Sequence, residues 1–471
     1  MPSSKPPRNA FGRSLVIAVL GTLLAGIFID VVAASNGAVA LSDASNRTLA
    51  VPQWLYLATG GAAIGASAIL ASVVTSRTFV RSIHDWRKLL PMRVPLKRAL
   101  SYLAQFIGIL ALAIIIYTGF VGPQIPTVNV AVILVFAGVR AGLTMVVYTV
   151  GNVWPAMNPW RTISRRLPTL DRQYPTTLDR WPAVVGLLML VWLETVTPVN
   201  KDPTLLAMAI CVYSVITISG AVVFTPDSWF SNVDPLSVTF HFYGQVAPLR
   251  WSEGGVTLRP PGFDLPDSDS VASNADVAFV IALIWELTFS GFVTTTSGVA
   301  FVTAIVDLGI PSILVYGLLF VLGYALFLGA FWLAAYVARN TASTYLTPRT
   351  IALRFAPPLL AIAVGYHLAH YFGFFVSLLP SLIPAIASPL SPPANPIVLT
   401  LPGWFGGLTI AFILVGHLLA VWLAHSQAYA TFPSRLQAIR SQYAFILVMI
   451  CYTVISLWLI SLPTASPAFV S

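Results

Sequence analysis

Apolar residues run along this chain in blocks, separated by short polar segments that hold most of the charge. A helix needs about 20 residues to cross about 30 Å of hydrocarbon. Blocks of that order lie near 14–34, 53–75, 99–120, 127–150, 181–199, 204–224, 275–296, 311–337, 355–379, 403–425 and 442–461. The pattern predicts an all-α, polytopic transmembrane bundle of about eleven spans in a single domain, in the cell membrane. The segment 225–273 has few helix signals and reads as a cytoplasmic loop or cap. The segment 380–402 carries Pro380, Pro384, Pro389, Pro392, Pro393 and Pro396. Each ring fixes φ and removes an N–H, so this segment is expected to be an extracellular loop with no regular helix. A short apolar stretch near 298–310 is expected to be a half-helix against the bundle.

Charge fixes the expected orientation. With the N-terminus inside, all of the 25 basic residues except Arg47, Lys201 and Arg140 fall in inner segments, as the positive-inside rule requires, and the C-terminus is outside. The first block, 14–34, is followed by Ala38-Val39-Ala40 and reads as a signal anchor or a signal peptide. Its length and the sequence Ile29-Asp30-Val31 favour the anchor. Composition agrees, because 57% of residues are hydrophobic and 9% charged, where a soluble domain carries about 25% charged residues. A soluble globular chain, disorder and collagen are excluded. The net charge of +9 serves orientation and lipid headgroups; no nucleic-acid module accompanies it. Cys211 and Cys451 lie inside apolar blocks as small packed side chains. No P-loop, dinucleotide fingerprint, His-Glu-x-x-His helix or nucleophile elbow is present.

Ionisable groups inside the blocks are the candidate chemistry, since each costs at least about 2.5 kcal/mol at the bilayer centre. Counted from the inner helix ends, Arg140, Glu194, Glu286, His367, His370 and His417 lie at depths of roughly 12 to 22 Å. All six fit one layer. His367 and His370, three residues apart, share a helix face that His417 of the next span can approach. Three imidazoles suit a transition metal such as Zn, Cu or Fe, with Glu286 as fourth ligand or base and Ser290 one turn beyond it. Arg140 would stabilise an anionic intermediate. His425, at the membrane edge, is a weaker candidate, and Glu194 reads as structural. Three functions follow: a metal-dependent hydrolase of a lipophilic ester, a metal-ion or proton transporter, and a structural subunit whose polar layer only joins helices. The expected partners are the bilayer and a lipophilic small molecule. Trp154, Trp160, Trp181, Trp229 and Trp404 near helix ends are expected to be interfacial anchors, and Asp234-Pro235 a turn or cap.

The chain carries Gly151-Asn152-Val153-Trp154 leading to Asn158-Pro159-Trp160-Arg161, then Trp192-Leu193-Glu194, Val233-Asp234-Pro235-Leu236-Ser237-Val238, Ala247-Pro248-Leu249 and Leu258-Arg259-Pro260, and towards the C-terminus His367-Leu368-Ala369-His370-Tyr371-Phe372, Gly416-His417, Ala424-His425 and Gln442-Tyr443. From about residue 53 to 461 the chain resembles the multi-pass family labelled fenitrothion hydrolase-like. That resemblance implies a polytopic membrane protein with organophosphate-ester hydrolase activity. The family pattern has Phe-Asp-Gly where this chain reads Phe289-Ser290-Gly291, so a carboxylate is missing there and Glu286, one turn earlier, stands in for it.

Overall fold

The computed structural model describes residues 53–73, 86–91, 94–252, 255–265, 270–393 and 398–469. The expected first span at 14–34, with its anchor or signal peptide, lies outside the described residues. Helices dominate. They are α1 (Gln53–Val73), α2 (Val94–Val121), α3 (Val130–Val150), α4 (Trp154–Met157), α5 (Pro159–Ser164), α6 (Trp181–Val196), α7 (Pro203–Phe224), α8 (Pro226–Asn232) and α9 (Pro235–Val246), followed by α10 (Asn274–Val293), α11 (Thr296–Val306), α12 (Ser312–Thr341), α13 (Pro348–Phe355), α14 (Leu359–Ala387), α15 (Phe405–Thr431) and α16 (Arg435–Ser461). Among the described residues eight helices are long and apolar enough to cross a membrane: α2, α3, α7, α10, α12, α14, α15 and α16. The expected spans at 53–75 and 181–199 are helical too, as α1 and α6, but shorter in apolar length. The half-helix expected at 298–310 is α11.

Many helix starts are written into the sequence. Asn158, Asp202, Thr225, Asp234 and Thr347 each accept the N–H three residues on, and each is followed by proline at the first helical position. That proline gives up a donor that has no helical partner in any case, so it costs nothing there. Asp234-Pro235 is thus the cap expected of it.

Around the buried α10 stand α6, α12, α14 and α16; from Ala275 to Gly291 every α10 side chain is buried. The outward faces of α2, α7 and α12 carry exposed Leu103 and Phe106, Val212 and Val215, and Leu322 and Leu326. Apolar faces of this extent fit lipid rather than water. Where α14 crosses α15, Gly365 and Gly416 let the backbones touch. A Cβ on Gly365 would lie 2.6 Å from the Phe412 carbonyl oxygen and 2.9 Å from Gly416 Cα.

Two expectations are corrected. The segment 225–273, expected to carry few helix signals, holds the helices α8 and α9 and the strands β2 (Leu249–Ser252) and β3 (Gly255–Leu258). With β1 (Lys88–Pro91) these make an antiparallel sheet of order β1-β3-β2, a small exception to the all-α reading. One tie to the bundle is the Trp251 Nε1–H bond to the Val150 carbonyl at 2.8 Å. The Pro-rich segment does not begin at residue 380 either, since α14 runs through Pro380 and Pro384 to Ala387. The rings sit in its last two turns, and the following loop is bonded back to the turn that precedes them. The Leu399 N–H donates to the Ser377 carbonyl at 3.0 Å, and Ser377 Oγ donates to the Leu399 carbonyl at 3.0 Å. Proline inside a membrane helix is tolerated in a packed bundle.

Candidate functional site

Helix α3 departs from α geometry over Leu134–Leu143, which is π-helical. The Thr144 N–H bonds to the carbonyls of Val139 and Ala141, not to that of Arg140 four residues back. The Arg140 carbonyl accepts instead from His367 Nε2 at 3.0 Å. A carbonyl only accepts, so Nε2 carries the proton, and in the neutral ring Nδ1 accepts from the Tyr148 hydroxyl at 3.3 Å. Insertions of this type in helices recur at functional sites.

The Arg140 side chain joins two acidic helices. Its Nη2 lies 2.7 Å from Glu286 Oε2 of α10, and its Nε lies 3.3 Å from Glu194 Oε2 of α6. The guanidinium carbon stands 5.2 Å from the centre of the Tyr371 ring, within cation–π range. The two carboxylates differ in access: Glu286 is fully buried, whereas the Glu194 side chain is 27% exposed. The second oxygen of Glu286, Oε1, is buried and has no hydrogen-bond partner. The structure thus brings Arg140 into contact with both Glu194 and Glu286, three of the six residues expected in one layer.

The histidines do not form the expected ligand set. Both His367 nitrogens are engaged, His417 is held against the Thr453 hydroxyl, and His425 Nδ1 pairs with Gln442 Oε1 at 3.2 Å. His370 Nε2 is buried without a partner beside Gly291. Ser290 Oγ donates to the Leu287 carbonyl of its own helix at 3.5 Å. Among the described residues no three His, Cys, Asp or Glu side chains gather to hold a metal ion. A divalent ion needs lone pairs converging on one point; here His367 and His417 face different partners, His370 Nε2 has none, and a guanidinium stands between the carboxylates. Zn, Cu or Fe does not fit this arrangement.

What does adjoin the charged cluster is a cavity of about 250 Å³ between α2, α3, α6, α7 and α9. Its walls are apolar and aromatic, including Phe136, Trp154, Trp160 and Phe240, while Arg140 and Glu194 supply charge at one place on its lining. Neither Glu286, Ser290 nor the three histidines lie among the lining residues. The wall is fixed from behind: Trp154 Nε1 donates to Ser237 Oγ at 3.1 Å, Trp160 Nε1 to Ser214 Oγ at 2.7 Å, and the Tyr213 hydroxyl to Asp234. Asp234 also caps α9 at the Ser237 N–H, 2.9 Å away. Trp154 and Trp160 are thus buried at 5% and 7% exposure, against the expectation of interfacial anchors, whereas Trp181 and Trp404 are exposed as that expectation requires. The signal for this wall was present in the Asn158-Pro159-Trp160 and Asp234-Pro235-Leu236-Ser237 runs.

Comparison of the chain with protein-family models, with curated proteins and with solved structures gives no match.

Proposed function

We propose that this integral membrane protein binds a lipophilic small molecule in the cavity beside Arg140, with the molecule's polar end at the Arg140–Glu194 pair. The observation that carries this reading is the composition of the cavity wall: apolar on nearly all sides, with one pair of opposite charges facing in. Ligand pockets are built this way, apolar surface giving affinity and a few fixed polar groups giving orientation. A charged pair placed in hydrocarbon for no purpose would be an expense without return. The molecule would reach the site from the bilayer.

Ester hydrolysis, the activity that the family resemblance implies, has weaker support. Its natural base, Glu286 Oε1, is free of partners but does not line the cavity, and the ligands for an activating metal are dispersed. A carrier and a static binder would share the same site and differ in whether the molecule crosses.

The test is equilibrium binding in lipid nanodiscs of aryl-alkyl probes with cationic, neutral and anionic ends, comparing wild type with Ala209→Trp. Ala209 lines the cavity, so the indole fills it. Binding of at least one probe, reduced about tenfold or more by the filling substitution with the gel-filtration profile unchanged, is the expected outcome. Equal binding by both proteins, or binding of no probe, overturns the proposal.

A further inference from the structure

The charge of the ligand follows from the charge balance of the cluster. Arg140 faces two carboxylates, Glu194 and Glu286. The closer of them, Glu286 at 2.7 Å, is fully buried and stands off the cavity, so it acts as the guanidinium's counter-ion. Glu194 is the surplus. Its oxygen lies 3.3 Å from Arg140 Nε, yet that nitrogen makes no hydrogen bond, and Glu194 is the acidic residue on the cavity wall. With the guanidinium satisfied by one carboxylate and laid near the Tyr371 ring, little of its charge is left for an anion. The remaining ionisable lining residue, Tyr213, has its hydroxyl committed to Asp234, a further buried carboxylate behind the wall.

The aromatic residues point the same way. Trp154 and Trp160 have their N–H groups committed to Ser237 and Ser214. They line the cavity without a free N–H to donate to a ligand. Aromatic rings attract a cation through the negative potential of their faces, and a carboxylate whose neighbouring guanidinium already has a closer counter-ion does so more strongly. We infer that the cavity selects a lipophilic cation, an amine or quaternary ammonium on an apolar body, with Glu194 as its counter-ion. This inference rests on the proposed binding function of the same cavity.

The probes that test it are 4-phenylbutyl-trimethylammonium, its neutral analogue bearing tert-butyl in place of the ammonium, and 4-phenylbutyl sulfonate, each measured on the full chain in nanodiscs. The expected order is the cation tightest, by at least about tenfold over the neutral analogue, with the sulfonate weakest. Glu194→Gln, which keeps the side-chain volume, should bring cation and neutral analogue within about threefold of each other, and Glu194→Asp should restore the preference. A neutral or anionic probe that binds as tightly as the cation overturns the inference while leaving the binding function standing. Cation preference that survives Glu194→Gln overturns the role of Glu194. Failure of all three probes to bind overturns the binding function itself.

Discussion

His241 shows how burial and neighbouring charge set a residue's behaviour outside the spans. It lies on α9 near the Arg180–Asp276 ion pair of 2.6 Å. Burial first, and then the Arg180 charge, holds its imidazole down to about 4 from the ordinary 6.5, against a smaller opposing pull from Asp276. A base with a depressed native pKa binds fewer protons folded than unfolded between those values. Its contribution is therefore fully present above about pH 6.5 and is lost as pH falls toward about 4. Thermal unfolding in detergent should show wild type losing more stability than His241→Gln between pH 7 and pH 4.5; parallel curves would contradict this. At the same scale, the ionisable layer was legible because depth follows from counting residues along a helix, and Arg140, Glu194 and Glu286 do meet. The rotation of each side chain about its helix is not contained in that count. His417 turns to Thr453 and His367 to a backbone carbonyl, so three imidazoles at similar depth need not share a point.

Helices were legible as elements but not as faces. The sequences of α2 and α10 are both predominantly apolar, yet α2 is mostly exposed and α10 almost wholly buried. Lipid tails and protein core are equally apolar, so hydropathy does not separate them. Small residues are the better guide, because they mark where backbones approach. Gly365 and Gly416 mark the α14–α15 crossing, and Gly365→Ala should destabilise it by about 1–3 kcal/mol, the usual range for overpacking. A melting temperature in detergent equal to that of wild type would show that the crossing has slack. The charge layer should survive the change, since Arg140 and Glu286 lie on other helices. The rule that proline ends helices weakens inside a packed membrane bundle, and α14 runs on through Pro380 and Pro384 with the following loop bonded back to it at Ser377.

For the whole molecule, the distribution of basic residues makes a claim about sidedness that a single crossing tests. Tyr345 and Ser391 are both exposed and lie on either side of α14. In a background lacking Cys211 and Cys451, Tyr345→Cys should react with a membrane-impermeant maleimide only in inverted vesicles, and Ser391→Cys only in intact cells. The reverse pattern would invert the orientation, and labelling of both from one side would remove α14 as a span. The π-helical stretch of α3 has a consequence of another kind. The helix is pinned at one end by Asn129, whose side chain bonds Ala131 N and the Thr118 and Pro123 carbonyls, and at the other by Trp251 on the Val150 carbonyl. Between fixed ends, the placement of Arg140 is stored as a number of residues. Loss of one codon from 134–139 would leave hydropathy, composition and predicted span unchanged. It would also rewind the turn, give the Arg140 carbonyl back to an amide and swing its side chain by about 100° around the axis. The lesion to fear in this helix is a silent change of length.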